Sequence, residues 1–218
     1  MSRRDTKEIT IWNAVTPVAV TSSTDATPIV VTATAHALST GDTVMINGHT
    51  TNIAANGVFR VTRLTSSTYS LQNVDTGANV AGSGGGAGSS GVMVVAPKMV
   101  LVEDFGNAVI SIATSGSANF TARIGGSIGR LVSDATNKDT DRPNFGATQS
   151  AANPYSFIQI INLDTAAAVN GATGITTAGT DLHNIYEINI NGLKYFTPVL
   201  TAWSAGVLTM KAQLYDNL

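Results

Sequence analysis

The 218-residue chain contains no cysteine, which excludes disulfides, thiolate metal centres and cysteine nucleophiles while remaining compatible with any redox compartment. Charge is scarce at 12% of residues and nearly balanced, with 12 Lys and Arg against 14 Asp and Glu. No cluster of basic residues supplies the electrostatic footprint of a nucleic-acid binder, so nucleic acid is not an expected partner. Long apolar runs are missing as well. The most apolar stretch, Val92 to Val102, is interrupted by Pro97 and Lys98 and falls short of the roughly 20 residues of a membrane helix, so membrane insertion is not expected. The opening MSRRDTKEIT has basic residues without an apolar core, which predicts no secretory signal and synthesis in a cytoplasm.

What is present is the vocabulary of strands and tight turns. Hydrophobic residues make up 43% of the chain, enough for one large or two modest cores, and Gly, Thr, Ser, Ala and Asn are abundant. Between residues 26 and 74 several short alternating runs follow one another. Ile29 and Val31, Val44 and Ile46, Phe59 and Val61, and Tyr69 and Leu71 each read as one face of a strand. Ser39-Thr40-Gly41-Asp42, Asn47-Gly48 and Asn56-Gly57 punctuate them with residues suited to turns, several of which tolerate positive φ. Such a series predicts a small antiparallel barrel or sandwich.

Two seams organise the rest. The run from Gly82 to Gly91 has too little to bury and reads as a linker, and Thr21 to Thr27 clusters Thr, Ser and Asp ahead of Pro28. The lone strand at Ile9 to Trp12 is too short to fold alone and must pair with something beyond the linker. The expected organisation is therefore a discontinuous β-sandwich of residues 1–20 plus 96–218, a small β-module at 21–81 inserted into it, and a linker with return strand at 82–95. Deletion of residues 22–95 is expected on that basis to leave a folded sandwich. The C-terminal part contributes seven runs: 100–102, 108–113, 120–124, 157–163, 186–190, 195–200 and 207–214. Turns are expected at Gly116-Ser117, Asn170-Gly171, Asn191-Gly192 and Ala205-Gly206. The fold class is all-β, an antiparallel β-sandwich with an inserted barrel or sandwich module.

Sites of chemistry are thin. His36, His49 and His183 have no zinc-ligand spacing and no evident nucleophile partner, and no G-x-S-x-G elbow occurs. Asn137, Asp139 and Asp141 have the opening spacing of a calcium loop, but Arg142 and Thr148 stand where its glycine and glutamate belong. Neither a dinucleotide fingerprint, which needs a helix after the glycines, nor an acid/base pair at Glu103-Asp104 fits the strand pattern. No catalytic residue, cofactor or metal is expected. Trp12, Trp203, Tyr155, Phe157, Tyr186, Tyr195 and Phe196 suit core or subunit-interface positions better than a sugar-stacking surface, because most lie in or beside apolar strands.

The strings TPIVVTATAHALSTGDTV, ING, AANGVFRVT and STYSL resemble a short β-module that recurs in tail, fibre and decoration proteins of tailed bacteriophages, over about a quarter of the chain. VLVEDFGNAVISIATSGSANFTARIGGSIG, YSFIQIINLDTAAAVNGATGI and YEININGLKYFTPVLTAWSAGVLTMKAQLY are similar to a β-sandwich of phage virion proteins. The resemblance implies a non-enzymatic virion component made in the host cytoplasm, most simply a capsid decoration protein with its module projecting. Tail or neck attachment, or binding of a host receptor or surface glycan, is the alternative. The implied partners are other virion proteins, whether capsid, tail or neck subunits, and further copies of the chain. The candidate interface residues are Arg3, Arg4 and Lys7 on an N-terminal arm, with Trp12, Tyr195 and Trp203.

Overall fold

The computed structural model describes residues 6–84, 91–129, 143–150 and 153–216, which are almost entirely antiparallel β-structure with no α-helix among them. The first strand is β1 (Thr6–Val15). The small module holds β2 (Val18–Val20), β3 (Ser22–Ser23), β4 (Val30–Thr32), β5 (Thr43–Asn47), β6 (Gly57–Arg63), β7 (Thr68–Asn73) and β8 (Gly91–Val95), with a 3-10 turn at Ile53–Ala55. The large part holds β9 (Val100–Leu101), β10 (Asn107–Ser127), β11 (Ser156–Phe157), β12 (Ile160–Asn162), β13 (Ala167–Val169), β14 (Ile175–Thr180), β15 (His183–Asn189) and β16 (Tyr195–Tyr215).

The module is a nearly closed barrel. Its sheet runs β2-β8-β5-β6-β7-β4-β3, and the two ends of that order are separated in the chain by Thr21 alone. The segment 18–23 thus pairs with β8 through its first half and with β4 through its second, and the Thr21 N–H donates to the Thr32 carbonyl at 2.9 Å. Closure removes most of the exposed sheet edge. Ile29, Val31, Val44, Ile46, Phe59, Val61, Tyr69, Leu71 and Met93 fill the interior, as the alternation of those runs predicts. Val18–Val20 and Gly91–Val95 are barrel strands, and the return strand lies between β2 and β5 in the sheet. The barrel therefore occupies 18–95, wider than the 21–81 module read from the sequence.

Period-two geometry gives each barrel strand a second face. Val44, Ile46 and Met93 point into the barrel, whereas Met45, Val92 and Val94 belong to the core of the large sheet. The runs VMIN and GVMVV are continuous because both faces of β5 and β8 are buried. On the other side of that joint stand Trp12, Val100, Ile110, Phe120, Phe196, Leu208 and Met210, all in the same core. The barrel wall and the large sheet are thus two layers around one apolar core.

The large sheet is built on β10 and β16, each 21 residues long and paired from Asn107↔Tyr215 to Ser127↔Tyr195. β15 and then β14 follow one after the other along the other edge of β10, so they act as a third long strand interrupted at 181–182. β12 pairs with β15 and with β13, β11 with the end of β10, and β1 and β9 with the outer edge of β16. Gly116-Ser117 and Ala205-Gly206 do not reverse the chain as the sequence predicts. Residues 116–118 lie opposite Gly206 in a break of register, and pairing with the same neighbour resumes beyond it. Gly116, Asp181 and Gly206 all have positive φ, at 72°, 50° and 98°, and Asp181 lies beside Gly116, accepting its N–H through Oδ1 at 2.9 Å. The three long strands are therefore interrupted at one level, as aligned bulges rather than hairpin turns.

Candidate functional site

The residues singled out in the sequence do not converge. Arg3 and Arg4 lie outside the described residues. Lys7 is exposed on β1 opposite Leu214, near one end of β16, while Tyr195 opens the other end. Nineteen residues of strand separate those two points, roughly 60 Å at the rise of an extended chain. Trp12 is only 2% exposed, and its indole N–H donates to the Val95 carbonyl at 3.0 Å. It seals the joint between barrel and large sheet within the chain, so it offers no surface to another subunit. Tyr195 is also buried, with the Lys194 ammonium 5.5 Å from its ring centroid. Trp203 is half-buried opposite Phe120, and its indole N–H is buried without a partner.

The three histidines occupy three separate settings, and no group of three His, Asp or Glu able to hold a metal occurs among the described residues. His36 lies inside the barrel, where its Nδ1 accepts the Leu38 N–H at 3.0 Å and its ring meets Tyr69 edge-on at 5.1 Å. That geometry places the proton of the neutral ring on Nε2. His49 is buried and tied through its backbone to the Asn56 side chain, at 2.9 Å and 2.8 Å. His183 is at the surface, and its Nε2 lies 3.0 Å from Ser111 Oγ. The pair depends on the register of β10 against β15 and so leaves no local mark in the sequence. The pair has the first contact of a hydrolase, but Ser111 sits mid-strand between β15 and β16, where backbone N–H groups are committed to ladders and none is free to stabilise an oxyanion.

Glu103 and Asp104 form a turn, closed by the Phe105 N–H on the Val102 carbonyl at 3.0 Å, rather than the strand end read from the sequence. Both line a shallow cavity of about 350 Å³ with Asp216, Asn107, Asn189 and Asn191. One Asp216 oxygen is already engaged by the Gly106 N–H at 2.9 Å. Carboxylates and amides without a nucleophile make this a solvated polar rim. Residues 137–141 and 85–90, the acidic loop and most of the glycine run, lie outside the described residues.

Strong shaping occurs instead where the segment 143–150 crosses the barrel. β6 extends two residues, Gly57 and Val58, past the end of β7, whose last partner is Asn73 opposite Phe59, so the backbone of Val58 has no strand on that side. Asn144 takes its place: the Val58 N–H donates to Asn144 Oδ1 at 2.6 Å, and Asn144 Nδ2 donates to the Val58 carbonyl at 3.4 Å. Asn153 holds Asn144 in turn, accepting its N–H at 2.6 Å and donating to its carbonyl at 2.9 Å. The Tyr155 hydroxyl accepts the Gly146 N–H at 3.3 Å and donates to the Ala147 carbonyl at 2.9 Å. Burial pushes the Tyr155 phenol up, an effect reduced by that Gly146 bond and by the Arg123 charge. The approach is close enough that a Cβ on Gly57 would stand 2.9 Å from the Asn144 side chain. Beside this clasp, between the barrel and the large sheet, is a cavity of about 460 Å³ lined by Met45, Val58, Val74, Pro97, Met99 and Phe145.

Fold and sites together define an all-β protein of two joined sheets with an amphipathic cavity at their seam. No protein-family model matches the sequence, and no curated protein is similar to it.

Proposed function

We propose that the chain is a non-enzymatic structural component of a tailed-phage virion, a capsid decoration protein that docks on neighbouring subunits through its large sheet. The motif strings at 27–44 and across 100–215 support the reading from the sequence. From the geometry, the supporting observation is the outer face of the large sheet, where Glu8, Lys211, Ser111, Ile185 and Ile161 come to the surface on five adjacent strands. Five strands span roughly 20 Å, and about eight residues of each run roughly 25 Å. That area is of the same order as the ~800 Å² each partner contributes to a standard interface. The face mixes small, hydroxylated and sparsely charged side chains, and its Glu8–Lys211 ion pair at 3.0 Å is internally neutral. Affinity in such a protein comes from area and from repetition over a symmetric lattice, which makes a single deep site unnecessary.

The test is gold labelling of purified particles with an antibody raised against the intact chain, alongside mass spectrometry of the same particles. Gold spread over the capsid is the expected result. Gold confined to the neck or tail would replace decoration by attachment, and absence from intact particles would overturn the virion reading.

A further inference from the structure

We propose that the cavity at the seam is a binding site for a small, mostly apolar molecule bearing one neutral hydrogen-bonding group, a property that does not depend on the virion reading. The cavity opens to solvent beside Asn73, Asp75 and Lys98, and its volume of about 460 Å³ falls within the range of small-molecule sites. Separate segments make its walls: Met45 on β5 and Val58 on β6, Val74 after β7, Pro97 and Met99 in the connection from barrel to sheet, Phe145 beside the clasp, and Thr197 on β16. Each wall is fastened separately. β5 lies between β6 and β8, and the Ala96 N–H donates to the Thr43 carbonyl at 3.0 Å. Asn144 bonds both polar groups of Val58, so the walls cannot collapse onto one another without breaking these bonds.

The lining sets the ligand class. Val58, Val74, Pro97 and Met99 supply the accessible apolar wall over a floor of buried Met45 and Phe145, and Met99 adds a flexible thioether that adapts to an occupant's outline. Water held against such walls forms few hydrogen bonds, so replacing it with an apolar body is favourable. Polar groups enter from Thr43, Asn73, Asp75 and Lys98. Asp75 and Lys98 are both exposed and of opposite sign, which favours neither an anion nor a cation and selects a neutral end group. Asn73 already commits its side-chain oxygen to the N–H groups of Asp75 and Thr76, at 2.9 Å and 3.0 Å, so this part of the rim is held in place before any ligand arrives.

Fluorescence titration of the full chain with 2-naphthol tests the site, with 2-naphthoate and 2-naphthylmethylammonium as charged comparisons. Saturable binding of one equivalent is expected, with 2-naphthol tightest and with backbone amide NMR shifts centred on residues 73–75, 97–99 and 145. M99W, which fills the cavity from a half-buried position, is expected to weaken binding at least tenfold, as is V74W. I53W, on a neighbouring surface hollow, is expected to leave binding unchanged. Failure of 2-naphthol to saturate at millimolar concentration would overturn the proposal. So would amide shifts centred elsewhere in the wild-type chain, a measurement that does not depend on either variant folding.

Discussion

At Val58 a single side chain does the work of a missing strand, since the Asn144 amide presents one acceptor and one donor at the spacing of a peptide group. N144A would leave the Val58 N–H and C=O both unpaired in a half-buried joint, which costs about 1–3 kcal/mol. A lower denaturant midpoint together with faster hydrogen exchange at the Val58 amide is the expected outcome. Tyr69 presents the opposite case. It is fully buried in the barrel and its hydroxyl has no partner. Y69F is therefore expected to raise stability at neutral pH, by about 1 kcal/mol, because it removes an unsatisfied polar atom at little cost in packing. The same burial pushes the Tyr69 phenol above its ordinary value. The unfolded chain ionises this group near pH ~10 while the folded barrel keeps it neutral. The contribution is complete below that pH and is lost as pH rises above it, at up to about 1.4 kcal/mol per pH unit for the one group. Denaturant melts of both proteins between pH 9 and 11 are expected to show a shallower alkaline decline for Y69F.

Among the elements, β4 to β7 were legible because each buries a repeating face: Phe59 and Val61, or Tyr69 and Leu71, announce one strand apiece, whereas β2 and β3 lie where the sequence shows only the outer segment and a seam. The long strands were not legible either. Gly116-Ser117 and Ala205-Gly206 carry turn chemistry, and nothing local distinguishes a hairpin from a bulge, since both need positive φ at glycine. The choice is made by neighbours, because β14 continues past β15 and keeps β10 paired beyond the break. Residues 167–169 and 175–180 escaped notice as strands for a related reason. Ala, Thr and Gly dominate them, and their strand state comes from pairing with β12 and β10 rather than from apolar alternation. The clasp was equally hidden, since Asn144 is one asparagine among many until the fold brings it to Val58. The two bulge glycines predict different sensitivities. A Cβ at Gly206 would lie 2.8 Å from the Ala118 Cα, whereas nothing lies within 4 Å of one at Gly116. G116A is expected to cost about 1–2 kcal/mol for left-handed backbone alone. G206A adds a backbone clash and is expected to cost more, which paired urea midpoints would read directly.

For the molecule as a whole, the question is how independent the barrel is. The sequence places it as an insert that can be removed, and the chain geometry is favourable, since Val18 and Met93 are directly paired and bring Pro17 and Ala96 close together. Packing argues otherwise. Removing 18–95 would strip Met45, Val92 and Val94 from the core of the large sheet and leave the Trp12 N–H without its Val95 acceptor. Buried side chains of these types are worth about 1.5–3 kcal/mol each, so the three together contribute on the order of 5–9 kcal/mol. A domain of this size has a net stability of only about 5–15 kcal/mol. The deletion, closed between Pro17 and Ala96 by a short Gly-Ser linker, is therefore expected to be soluble at best as a weakly cooperative species. A broad thermal transition and binding of an apolar dye are the expected signs that the core has been opened. A deletion variant that melts as sharply as the full chain, and at the same temperature, would show that the two layers do not share their core. Replacing the exposed Trp12, Val100 and Met210 by polar residues in the deleted chain cannot restore it, because those side chains also pack within the large sheet. The barrel is thus a structural layer of the sandwich, and its own interior is a second, smaller core attached to the first through β5 and β8.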